Sequence, residues 1–402
     1  MFFSEIKNYI IVYFYIFANK KDKIMKIREI FDGNKINWEK VEKLSEFKIL
    51  STTPQSSIWH KEGDVLTHTK LVVDKMYEYF INNNLPLDND YYYLMMTAAL
   101  CHDLGEANTT KWDDTKNDYS TKRHGAESAV ITRKLFYDED VDVRENLVYM
   151  VRYHMTLHHI FDNEDETLVR KKIASMSYGR VPLKDMIILN ICDSRGSIND
   201  YEDEEFLKNK ENRLIETANN LGCYTNPMEL YGKHVAYFLD IKDKFSKEEE
   251  FKVYIMIGIP GSGKDTYIKT NLSTLPVICR DDIRTEIGLK GDKPMGNKKQ
   301  ESYVTEIFEE RMKKYTLENQ SFVINNTNVK KSYRDDYRSK ILALRPNVKF
   351  IYVYVEAPSI KVNKERRKGQ MPLEVIDRML NQLEFPYSTE YNELIISKQI
   401  EK

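Results

Sequence analysis

The stretch "KVYIMIGIPGSGKDTYIKTN", Lys252–Asn271, restricts the fold of this chain more than any other. A β-branched and aromatic run stops at Gly258, a glycine-rich turn follows, and Lys264 opens a segment without Gly or Pro that can wind as a helix. A strand that feeds a helix through a tight turn belongs in a parallel sheet flanked by helices. Further runs of the same character follow in "PVICR", "SFVINN" and "VKFIYVYV", separated by helical stretches such as "ESYVTEIFEERMKKYTLE". That alternation predicts an α/β domain over residues 251–402.

Upstream the pattern is different. Residues 25–245 read as all-α: "HTKLVVDKMYEYFI" and "YYYLMMTAALCHDL" place apolar residues at helical spacing, and no strand-like alternation of any length interrupts them. The charged run "KDKFSKEEEF", Lys242–Phe251, marks the boundary. Before Met25 lies "YIIVYFYIFA", Tyr9–Ala18, whose ten apolar residues are too few to span a bilayer. Residues 1–24 therefore read as a disordered or spurious extension, with a membrane-surface anchor as the alternative. The four cysteines are scattered, with no C-x-x-C, which suits a reducing, cytoplasmic setting and no membrane partner. The net charge of −2 divides unevenly, +7 from Lys252 onward and −9 before it. The C-terminal half thus has the sign expected of a partner for polyanions.

Residues Gly258–Asp265 fit the phosphate-loop pattern G-x-x-x-x-G-K-[ST] at every place but the last. The N–H groups of Gly261, Ser262 and Gly263 can cradle a β-phosphate, and Lys264 can reach the β- and γ-oxygens. ATP or another NTP with Mg²⁺ is the expected cofactor. Asp265 stands where a Mg²⁺-ligating hydroxyl is usual. Either its carboxylate ligates the ion, or it turns outward and Thr266 or water serves instead. Next comes "CRDDIR", in which Asp281 or Asp282 can take a proton from an attacking hydroxyl and Arg284 can hold an anion on the acceptor. In "KERRKGQMP", Arg366 and Arg367 sit in a basic run that reads as a solvated helix face or as a mobile lid over the transferring phosphoryl group.

All eight histidines precede the α/β half. "CHDLGE" sets His102, Asp103 and Glu106 at spacings that share one face if helical. With His68, His124, His154 and Asp193 they form a set of imidazoles and carboxylates able to hold one or two divalent transition-metal ions in a helical bundle. His60, His158 and His159 have no firm role on this reading, and His234 reads as structural.

The ordered set H…HD…H…H…D resembles the HD phosphohydrolase superfamily, in which those residues bind metal; Glu106 stands where some members carry a water-activating Glu. The tract "HKEGDVLTHT" is also similar to the HD domains of some tRNA nucleotidyltransferases. In the second half, "GIPGSGKDT", "RDDIR", "NTN" and "ERRKGQMPLEVIDRM" resemble the 5′-hydroxyl polynucleotide kinases from Phe251 to about Leu394. That resemblance gives Asp281 the general-base role and Arg284 the contact to the acceptor's phosphate. Two positions depart from the family: Asp265 replaces Ser, and Asn326 stands where relatives usually place Asp. An HD domain followed by such a kinase resembles the bacterial HD-Pnk end-healing enzymes. The resemblance implies hydrolysis of 2′,3′-cyclic or 2′/3′-phosphate ends, phosphorylation of 5′-OH ends, RNA or DNA ends as substrates and an ATP-dependent RNA ligase as a partner. The rival expectations are a kinase of a nucleoside or small molecule fused to an HD nucleotide phosphohydrolase, and a nucleotide-controlled binding module.

Overall fold

The computed structural model describes residues 25–162, 165–177, 179–225, 251–289 and 298–399. The expected extension at 1–24, most of the charged boundary run and His234 lie outside the described residues.

The first half is helical. Its main elements are α1 (Val65–Asn82), α2 (Asp90–Cys101), the short α3 (Glu106–Thr109), α4 (His124–Leu135), α5 (Val141–Tyr153), α6 (Glu166–Met176), α7 (Leu183–Gly196) and α8 (Glu204–Asn220). Side-chain caps start several of them: Asp64 accepts from the Thr67 N–H at 3.0 Å and Asn89 from the Tyr92 N–H at 2.8 Å. Helix α7 is buried around nearly its whole circumference, Ile187 to Ser194 included, so it is the central rod of the bundle. It approaches α1 so closely that a Cβ on Gly196 would lie 2.5 Å from Val72 Cγ2. Two small antiparallel pairs interrupt the helices, β1 (Phe31–Asp32) with β2 (Lys35–Ile36) and β3 (Lys111–Asp113) with β4 (Asp118–Ser120). Strands of two or three residues are too short to impose a period-two pattern, so the helical reading passed over them.

The second half holds a five-stranded sheet: β5 (Phe251–Ile257), β6 (Val277–Ile278), β7 (Phe322–Ile324), β8 (Val348–Glu356) and β9 (Glu393–Lys398), in the order β6-β7-β5-β8-β9. Every pairing is parallel. The intervening helices are α9 (Lys264–Asn271), α10 (Arg280–Glu286), α11 (Lys298–Leu317), α12 (Lys331–Leu344), α13 (Ile360–Arg367) and α14 (Leu373–Asn381). The four runs read as strands are strands. The edge strand β9 lacks the long apolar stretch of β8 because it is only half-buried.

The halves share a buried contact. Tyr137 and Val141 belong to the same apolar cluster as β5, β7 and β8. Arg144 on α5 makes a two-pronged contact with Glu356 at the end of β8, at 2.6 and 3.1 Å. Glu145 holds Arg133 at 2.7 Å and Arg144 at 3.0 Å, and Arg133 also donates to the Leu383 carbonyl at 3.0 Å. All four charged side chains are buried.

Candidate metal centre and nucleotide site

The helical bundle brings every proposed ligand to one buried place. His68 lies one turn into α1, His102 and Asp103 in the turn after α2, His124 at the start of α4, His154 at the end of α5, and Asp193 near the end of α7. Sequence spacing put His102, Asp103 and Glu106 on one helix; instead α2 ends at Cys101 and Glu106 opens α3. The break follows from packing: a Cβ on Gly105 would stand 2.4 Å from the His124 carbonyl oxygen, and the Gly105 N–H donates to Ser128 Oγ at 2.8 Å.

The tautomers can be read from the partners. The Nδ1 of His102 faces the Ala99 carbonyl at 2.8 Å, and that of His154 faces the Val151 carbonyl at 2.7 Å. A carbonyl only accepts, so both Nδ1 atoms carry the proton and both Nε2 atoms of the neutral rings present bare lone pairs. His68 is held likewise, Nδ1 to Glu62 Oε1 at 2.9 Å. Yet His68 Nε2 lies 3.2 Å from His102 Nε2, and His124 Nε2 lies 3.0 Å from His154 Nε2. Contacts this close require a proton on one ring of each pair or a metal ion beside them. Asp103 joins the two pairs: Oδ2 is 3.1 Å from His102, and Oδ1 is 3.3 Å from both His124 and His154. Asp103 Oδ1 has no hydrogen-bond donor. Asp193 Oδ1 completes the first group, 3.1 Å from His68. Two buried groups, His68–His102–Asp103 and Asp103–His124–His154, each bring ligand atoms close enough together to hold a metal ion, and Asp103 belongs to both.

The electrostatics agree. Burial disfavours charge on His68, but Asp193 and Glu62 outweigh it and bring its pKa up to about 9. Burial opposes ionisation of Asp103 and Asp193 too, yet His102 and its neighbours hold both well below the carboxylate range. Burial pushes His124 down to about 4. These carboxylates stay anionic and want positive charge; the imidazoles supply ligand nitrogens once an ion is present. The residues therefore fit a metal. Glu106 is buried beside them, fixed by Gln55 Nε2 at 3.1 Å.

Besides Asn325, described below, four partners escaped the sequence reading. Glu62 bonds both His60 and His68 at 2.9 Å, and His158 bonds Asp193 Oδ2 at 2.9 Å. Each orients a ligand from behind. Gln55 positions Glu106. Only the proximity of Glu62 to His68 in "HKEGDVLTHT", and of His158 to His154 in "HMTLHH", was legible. His159 pairs with Asp162 at the surface. The fourth partner, Glu301, belongs to the other half.

In the α/β half, the turn Gly258–Gly263 joins β5 to α9, and Gly263 takes a left-handed φ of 100°. The first-turn N–H groups of α9 have no acceptor within their own helix, and Ser262 Oγ is buried without a hydrogen bond. That is a cradle for an anion. Lys264 folds back on the loop, Nζ donating to the Gly258 carbonyl at 2.8 Å, and desolvation pushes its pKa down to about 8. Thr266 is exposed on the first turn of α9.

Asp265 does not point away from the site. Its Oδ1 accepts from Asn325 Nδ2 at 2.8 Å, at the end of β7. Asn325 Oδ1 is buried and without a hydrogen-bond donor among the described residues. Asn326, the residue singled out in the sequence, turns instead to the Arg280 N–H at 3.2 Å. Asp281 and Arg284 on α10 bond one another, and Arg284 is forked onto Glu301 of α11 at 2.8 and 3.0 Å. On α13, Arg366 reaches the Gly261 carbonyl at 3.0 Å and Gln399 at 2.7 Å. Arg367 bonds Gln370 at 3.0 Å, and its charge also acts on Lys264.

Residues 65–195 match the HD domain family and residues 253–386 match an AAA domain family. The multifunctional CCA protein of Actinobacillus pleuropneumoniae serotype 5b (strain L20) is 27% identical over 164 residues, 40% of this chain and 37% of that protein. That of Pasteurella multocida (strain Pm70) is 27% identical over 172 residues, 40% of this chain and 38% of that protein. The chain thus spans less than two-fifths of the length of these relatives. Among solved structures, a protein described as a candidate kinase from Chloroflexus aurantiacus has a TM-score of 0.31 at 14% identity, covering 37% of this chain and 86% of that one. A gluconokinase from Sinorhizobium meliloti 1021 has a TM-score of 0.26 at 17% identity, covering 38% and 84%.

Proposed function

We propose that this chain, in which an HD domain is joined to a P-loop kinase-like domain, heals broken nucleic-acid ends. The kinase half would phosphorylate 5′-OH ends with ATP; the HD half would hydrolyse 2′,3′-cyclic phosphate or 2′/3′-phosphate ends. The observation that carries this reading is that one chain holds a glycine-rich loop opening a helix and, apart from it, a buried His/Asp cluster that could bind metal. One is suited to adding a phosphoryl group and the other to removing one, as a break with a 5′-hydroxyl and a cyclic phosphate requires.

In the kinase half, Asp281 accepts the proton as the hydroxyl oxygen attacks the γ-phosphorus and the bond to ADP breaks. Arg284, steadied by Glu301, holds the acceptor's neighbouring phosphate. Lys264 and one of the α13 arginines offset the charge on the transferring group. Asp265 with Asn325 would hold Mg²⁺. In the HD half, His68, His102, Asp103, His124, His154 and Asp193 would hold one or two divalent ions. Such ions, when bound, lower the pKa of water and neutralise a phosphate ester. Glu106, fixed by Gln55, is the group placed to move the proton.

The test is to give the protein ATP, Mg²⁺, a transition-metal ion and oligonucleotides with 5′-OH and 2′,3′-cyclic ends, then identify the ends formed. A 5′-phosphate and an opened 3′ end support the reading. Phosphorylation restricted to a nucleoside or small alcohol would sink it and favour the small-molecule kinase.

A further inference from the structure

A groove of about 780 Å³ lies where the two halves meet, lined by residues of both. Lys122, Arg123 and Arg152 come from the helical half; Lys330 and Lys331 come from the α/β half. Three acids also line it, but they are engaged. Glu384 pairs with Arg152 at 3.3 Å, Asp335 pairs with Lys331, and Glu127 accepts from Asn108 at 3.0 Å. Lys122, Arg123 and Lys330 have no ion-pair partner among the described residues, so the groove keeps a positive excess. The excess on the helical side runs against that half's overall charge of −9.

Its lining residues adjoin segments of both sites along the chain. Arg123 immediately precedes the ligand His124, and Lys330–Lys331 follow the loop from β7 that begins at Asn325. Two exposed aromatics stand on the segments that supply its lining residues, though neither lines the groove itself. Trp112, 49% exposed, sits on the β3–β4 hairpin that connects Thr109 to Lys122, both of which line the groove. Tyr333, 48% exposed, lies beneath Lys330, whose Nζ is 5.8 Å from the ring centroid. Cations without ion-pair partners, with exposed aromatics on the adjoining segments, are the chemistry that holds a single-stranded polynucleotide: phosphates take the charge and bases stack. An acidic peptide would use the cations and leave the aromatics idle.

We infer that this groove between the halves binds the backbone of a single-stranded polynucleotide, at a distance from either reacting end. The inference rests on the proposed function only for what happens at the ends; binding is measured separately. The assay is fluorescence anisotropy of a fluorescein-labelled 12-nucleotide single-stranded RNA in EDTA, titrated at several salt concentrations. The variant is Lys122→Glu with Lys330→Glu, neither of them in a reacting site. Affinity should fall at least tenfold, and the log–log salt slope should lose about 1.4, since each phosphate contact on a single strand contributes about 0.7. Trp112→Ala should weaken binding about tenfold with the slope unchanged. Unchanged RNA affinity in the charge-reversal variant would overturn the inference even if ends are healed. So would loss of binding to a labelled oligoglutamate peptide while RNA binding persists. Weakened RNA binding in a protein that alters no oligonucleotide end would sustain the groove and reject the end-healing reading.

Discussion

Replacing Glu356 by Gln tests whether the two halves are one folded body. Arg144 is 0% exposed and Glu356 2%, joined by contacts at 2.6 and 3.1 Å. Two buried cations, Arg133 and Arg144, are balanced by two buried anions, Glu145 and Glu356. Glu356→Gln leaves that group with an uncompensated positive charge in an apolar interior. Breaking such a pair from one side costs about 3–5 kcal/mol. Arg144 keeps Glu145 at 3.0 Å and the Tyr137 carbonyl at 2.9 Å, which argues for the lower end, about 3 kcal/mol. That is a large part of a total stability of roughly 5–15 kcal/mol. The double variant Arg144→Met, Glu356→Leu removes one charge of each sign and should recover most of the loss. The assay is urea unfolding followed by two probes. Trp38, Trp59 and Trp112 all lie in the helical half, so their fluorescence reports that half, whereas far-ultraviolet circular dichroism reports both. The transitions should coincide in the parent and separate in Glu356→Gln. A destabilisation below about 1 kcal/mol, or a double variant as unstable as the two single changes added, would refute the reasoning.

Acid should loosen the same interface. Burial would raise the Glu145 pKa, but Arg133 and Arg144 outweigh it and bring it down to about 2, so its contribution is present above about 4.5 and is lost as pH falls towards 2; circular dichroism melts across that window check it. His102→Ala or Asp103→Ala should abolish phosphoesterase activity and spare the kinase, and Lys264→Ala should do the reverse, measured by separate end-group assays. Asp281→Asn should slow phosphoryl transfer roughly 10²–10⁴-fold with ATP affinity little changed, and a larger defect in Asp282→Asn would shift the base by one residue. Asp265→Ser should raise the Mg²⁺ concentration for half-maximal kinase activity, and adding Asn325→Asp should restore it better than adding Asn326→Asp; simple addition of the defects would count against a shared ion.

Local chemistry made much of this protein legible in its sequence. The strand, glycine turn and lysine of the phosphate loop are contiguous, so one stretch of residues fixes their geometry. The alternation of β-branched runs with helical stretches announces a parallel sheet because its strands are buried on both faces. The histidines and aspartates could be named as a set by residue type and order, but no spacing says that His68, His102, Asp103, His124, His154 and Asp193 meet. Close helix packing at Gly105 and Gly196 decided that, whereas the carbonyls of Ala99 and Val151, each three residues back, set the proton on Nδ1 of His102 and His154. Glu62, Gln55 and His158 gained their roles by facing a ligand or Glu106 in space, which sequence distance does not encode. Asp265 shows the division most clearly. The sequence marks it as out of place beside a phosphate; the parallel pairing of β5 with β7 brings Asn325, not Asn326, against it. Successive side chains at a strand's end point to opposite sides, so a difference of one residue is settled by the sheet's register alone.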